Sequence, residues 1–115
     1  MTHADVRLCF TTAPDTEVAE RLVRALVDDR LVACGNILPA CRSIYRWEGR
    51  VETAMEAVVI LKTTAAAVPA LVGRVRELHP YDVPEVLALP VTGGLGTYLD
   101  WVGDSVRSGT GNSRE

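Results

Sequence analysis

Residues 32–63 read as two extended arms about one tight turn, Trp47-Glu48-Gly49-Arg50, in which Gly49 can supply the positive φ that a hairpin loop needs. The returning arm, 51–63, ends in the apolar run Ala57-Val58-Val59-Ile60-Leu61. The first arm, 32–47, is too long for a small domain. At ~3.3 Å per residue it would span roughly 50 Å, whereas a 100-residue domain has a radius of gyration of only ~13 Å. Either the arm bends, with Pro39 as the place, or the ribbon projects. A projecting ribbon carries Tyr45 and Trp47 on one face and Ile44 on the other, and proteins seldom leave such an edge bare. Pairing with another copy is the economical solution, so the expected partner is the chain itself, as a homo-oligomer.

The flanks fit around this hairpin. Val6, Leu8 and Phe10 alternate with Arg7, Cys9 and Thr11, which predicts a strand over 6–12. After Pro14-Asp15, helical spacing of Val18, Ala19, Leu22, Ala25 and Leu26 predicts a helix over 15–30, with Glu17 and Glu20 early and Arg30 at its end. Thr63 or Thr64 can cap a second helix whose apolar face is Val68, Leu71, Val72, Val75 and Leu78. A start near Ala67 makes Pro69 tolerable, and Pro80 stops the helix near Leu78. A strand over 83–91 and a short helix over 97–107 complete the order β-α-β-β-α-β-α. This is an α+β chain: a ferredoxin-like βαββαβ antiparallel sandwich with both long helices on one face and an extra C-terminal helix. Residues 1–107 form a single domain, and the polar stretch 108–115 is expected to be a disordered tail.

Several function classes are disfavoured. With 115 residues and a net charge of -3, the chain is one domain without the basic stripe that binds a nucleic-acid backbone, and without a polybasic membrane contact. No apolar run approaches the ~20 residues that span a bilayer, and Met1–Asp5 lacks the regions of a signal peptide. Cys9, Cys34 and Cys41 are too few and odd in number for a disulfide framework, so a cytoplasmic location is expected. Thr11-Thr12-Ala13-Pro14-Asp15 has neither the thiols of a soft-metal loop nor the arginine of a phosphate-binding one, and Phe10 is the sole aromatic on the expected central strands. Gly93-Gly94-Leu95-Gly96 fails the dinucleotide fingerprint, with Leu99 where the last glycine belongs, and reads as a turn into the last helix. No nucleophile stands beside a base, so no enzymatic reaction is expected.

The chemistry-bearing residues gather in His79-Pro80-Tyr81-Asp82-Val83-Pro84-Glu85. With His3 assigned to a frayed terminus, His79 is the one histidine of the folded region. Together with Asp82 and Glu85 it offers mixed N/O ligation to Cu²⁺ or Zn²⁺. The residues alone favour a structural role, in which the prolines stiffen the entry to the last strand and the carboxylates accept hydrogen bonds. Ser43, Tyr45 and Trp47 share a strand face, which packs, meets a subunit, or walls a cleft. Strict alternation puts Cys34 and Cys41 on opposite faces unless Pro39 introduces a bulge.

Five stretches together resemble the CutA divalent-cation tolerance family: Thr12-Ala13-Pro14-Asp15, Leu31–Asn36, Ser43–Gly49, Ile60–Thr64 and His79–Glu85, in order across residues 6–107. The resemblance implies a ferredoxin-like subunit, a very stable cytoplasmic homotrimer, similarity to the PII signalling trimers, and a role in tolerance to copper and other divalent ions, with no enzymatic reaction. It implies Cu²⁺ or another divalent metal ion as a ligand that folding does not require. At the positions to which some family members' ligands are attributed, this chain has Thr11 and Leu78, the latter followed by His79. Cys9 shares the strand face of Thr11. The expected metal contact is therefore His79, with Cys9, Asp82 and Glu85 as lesser candidates. The alternative is a PII-like trimer that binds a small anion between subunits through Lys62, Arg46, Tyr45, Trp47 and Tyr81, or one that serves an unknown protein partner.

Overall fold

The computed structural model describes residues 3–107; the expected tail over 108–115 lies outside them. Strands β1 (Val6–Ala13), β2 (Cys34–Trp47), β3 (Arg50–Thr64) and β4 (Leu87–Pro90) form one antiparallel sheet in the order β2-β3-β1-β4, with helices α1 (Thr16–Asp28), α2 (Val68–Leu78) and α3 (Gly96–Ser105). This is the expected ferredoxin-like arrangement with its extra helix.

Strand parity divides the sheet. Cys9, Thr11 and Ala13 on β1 face the same way as Leu61, Val59 and Ala57 on β3, and all are sealed beneath α1 and α2. Ala19, Leu22, Val23 and Leu26 supply the helical side with Leu71 and Val75, and burying each large aliphatic side chain contributes about 1.5–3 kcal/mol. Gly35 permits this approach: a Cβ there would sit 2.8 Å from Val23 Cγ1 and 2.9 Å from Leu61 Cδ2. The opposite sheet face carries Leu8, Phe10, Val58, Ile60, Leu38, Leu87 and Leu89, all short of full burial, with Leu87 57% exposed.

Local chemistry sets the element ends. Asp15 caps α1 by accepting from the Val18 amide at 2.8 Å. The helix stops at Asp28, short of the expected residue 30, because Arg30 turns left-handed (φ 58°) while Leu31 N–H returns to Leu26 O. The Arg30 guanidinium then donates to the Asp104 and Ser105 carbonyls, capping α3 rather than α1. The expected threonine cap is also replaced. Thr63 points inward and donates to Leu31 O at 2.7 Å, Thr64 makes no capping bond, and a 3₁₀ turn over Ala65–Ala67 leads into α2. Strand β4 is shorter than the expected 83–91, since Pro84 interrupts the approach and Val83 is exposed. His3 is ordered against α3, its Nδ1 2.8 Å from Asp100 Oδ1, and is not the frayed residue expected.

The hairpin projects. Residues 50–56 of β3 pair with β2 alone, and the longest dimension is 49 Å against 29 and 24 Å. Glu48 (φ 51°) and Gly49 (φ 80°) are both left-handed, as a type I′ turn requires. Between Leu38 and Cys41 two residues of β2, Pro39 and Ala40, oppose one of β3, Ala57, with Ala40 at φ 61°. This bulge at Pro39, tolerable on an edge strand, puts Cys34 and Cys41 on the same face, correcting strict alternation.

Candidate functional site

The corner between α2 and β4 meets the base of the ribbon. His79 closes α2, its amide still bonded to Val75 O at 2.9 Å, and its own backbone is extended because Pro80 follows. The Tyr81 amide donates to His79 Nδ1 at 3.1 Å, so that nitrogen carries no proton. Nε2 must therefore carry it, and donates to Thr12 O at 2.6 Å. The ring is 8% exposed and neutral, with both nitrogens committed. Its centroid lies 4.6 Å from that of Tyr81. His79 thus holds the corner to the end of β1 and aims Tyr81 across the ribbon base.

Tyr81 Oη donates to Glu56 Oε2 at 2.7 Å. Glu56, on β3, is 9% exposed and has no ion-pair partner among the described residues. Burial, then the bond to Glu56, raises the tyrosine's pKa well above its usual value. Around this pair lies a cleft of about 680 Å³. Thr12 and Glu56 form its base, Ser43, Ile44, Tyr45 and Trp47 its ribbon wall, and Tyr81, Asp82, Val83, Pro84 and Glu85 the other. Among the described residues three carboxylates and no lysine or arginine line it, so it favours positive charge.

The expected ligand set does not assemble. His79 offers no free lone pair. Cys9 is fully buried in the core, and burial raises its thiol pKa, which disfavours the thiolate that binds metal. Asp82 and Glu85 reach the cleft, but no three His, Cys, Asp or Glu side chains converge on one point among the described residues. Copper therefore does not fit His79, Cys9, Asp82 and Glu85 as one site in a single chain. The anion set divides too. Tyr45, Trp47 and Tyr81 line the cleft, whereas Arg46 and Lys62 do not, and Lys62 bonds the Asn36 side chain. Sequence reasoning missed Glu56, whose one signal is an acid at the strand parity of Val58 and Ile60.

The CutA1 divalent ion tolerance protein family matches residues 7–105. The chain is 50% identical over 91 residues to a Thermus thermophilus protein named divalent-cation tolerance protein CutA, covering 79% of this chain and 88% of that one. It is 46% identical over 97 residues to human protein CutA, covering 84% of this chain but only 54% of the human one. Among solved structures it resembles CutA1 from Oryza sativa, with a TM-score of 0.90 at 40% identity over 93% of this chain and 98% of that one.

Proposed function

The chain belongs to the CutA1 divalent ion tolerance family, and on that premise we propose that it acts as a cytoplasmic homotrimer in the response to divalent metal ions. The observation that carries this reading is the bare apolar sheet face, continuous with a ribbon exposed on both sides. A monomeric protein rarely leaves such a surface to water, and self-association covers it. Three chains is the number the resemblance implies. The three free cysteines accord with a reducing compartment, and no helix among the described residues is long and apolar enough to cross a membrane.

Metal contact belongs to the cleft, where Asp82 and Glu85 are exposed carboxylates beside the buried Glu56. Carboxylates alone suit hard ions, so Cu²⁺ or another divalent ion is held weakly and His79 supports the site without ligating. No enzymatic role is proposed. Titration of Cu²⁺ and Mn²⁺ into the purified protein tests this. Asp82→Asn with Glu85→Gln is expected to weaken both ions most, and His79→Ala, which loosens the corner that carries these carboxylates, to weaken both ions alike and by less. Loss of Cu²⁺ binding with Mn²⁺ binding retained in His79→Ala would overturn the carboxylate reading.

A further inference from the structure

The projecting ribbon has two chemically opposite faces. On one, Arg42 and Arg46 lie across from Met55 and Val51, which are 56% and 63% exposed. This face carries no carboxylate, and neither arginine makes an ion pair among the described residues. The other face presents Tyr45 and Trp47 with Glu52 and Arg50 across from them, an acid–base pair 3.8 Å apart, and runs into the cleft of Glu56, Asp82 and Glu85, which holds no basic group among the described residues. One surface is basic and apolar, the other acidic and aromatic. They lie on opposite sides of one paired ribbon and so cannot meet within a chain.

We propose that the acidic cleft of one copy receives the basic face of the next copy's ribbon, placing the partner's Arg42 and Arg46 against Asp82, Glu85 and the Tyr45–Trp47 wall. This rests on the homotrimer reading and adds which surfaces meet. Charge complementarity fixes the occupant as a second copy. A guanidinium can bond a carboxylate through two N–H groups and stack on an aromatic face. Because the two surfaces differ, the contact is head-to-tail, the kind that closes into a ring. A divalent cation would use the same carboxylate oxygens, so metal binding and ribbon docking oppose one another.

The chain has two tryptophans, so Trp101→Phe leaves Trp47 as the sole reporter in the cleft. In that background, Arg42→Glu with Arg46→Glu, and separately Asp82→Arg with Glu85→Arg, are followed by light scattering and Trp47 emission. Each reversal is expected to weaken association at least tenfold and shift Trp47 emission to the red. Combining all four in one chain restores both, and the neutral pair Arg42→Gln with Arg46→Gln falls between. A normal oligomer with unchanged Trp47 emission in both reversals would overturn the proposal while leaving the homotrimer standing. So would a fourfold variant no better than its parents, or silent reversals in a protein whose Trp47 still responds to Cu²⁺, which would assign the cleft to a small cation. A parent protein that stays monomeric would remove both readings.

Discussion

The Tyr81 hydroxyl and the Glu56 carboxylate meet at 2.7 Å, joining the corner after α2 to the foot of the ribbon through a buried acid that has no cationic partner among the described residues. Removing the hydroxyl strands that acid. Tyr81→Phe is expected to cost about 1–3 kcal/mol in urea unfolding. The pH dependence has a definite sign. The tyrosine's folded pKa lies above its unfolded value of about 10. Its contribution is complete below pH 10 and is lost as pH rises from there toward the folded pKa, because the unfolded chain ionises first. Stability of the wild type should fall above pH 10 more steeply than that of Tyr81→Phe.

His79 is engaged at both nitrogens, to the Tyr81 amide and the Thr12 carbonyl. His79→Phe keeps a ring in place and orphans both backbone groups. A loss of about 2–4 kcal/mol is expected, with amide exchange accelerated at Tyr81. Unaltered stability would remove the structural role assigned to this histidine.

Gly35 sits where α1 crosses the sheet, with no room for a methyl group between Val23 and Leu61. Gly35→Ala should cost about 1–3 kcal/mol through overpacking, measured as a lowered denaturation midpoint at unchanged slope. Relief by Val23→Ala in the same chain would identify the contact responsible.

The hairpin, both long helices and the sheet order are legible in the sequence because alternation and helical spacing are local signals, sustained through the arms and through Val18–Leu26. The face shared by Cys34 and Cys41 is not, since the one-residue bulge at Pro39-Ala40 inverts the parity of everything beyond it. The motif His79–Glu85 is visible by residue type alone. That His79 is already spent depends on Thr12, 67 residues earlier. Glu56 escapes notice for the same reason, as its partner Tyr81 lies 25 residues downstream. Val83 shows the limit of strand propensity: a β-branched residue beside Pro84 stays outside β4 and exposed.

The central claim is that the open sheet face is covered by other copies of the chain, and the mass of the purified protein by native mass spectrometry tests it most directly. Ile60 stands in the middle of that face, paired with Phe10 on β1 and Asn36 on β2. Three chain masses are expected for the wild type, and Ile60→Glu, which places a carboxylate in the covered face, should shift the population to single chains that remain folded by circular dichroism. A wild-type protein that stays at one chain mass at micromolar concentration, with Ile60→Glu indistinguishable from it, would contradict the claim.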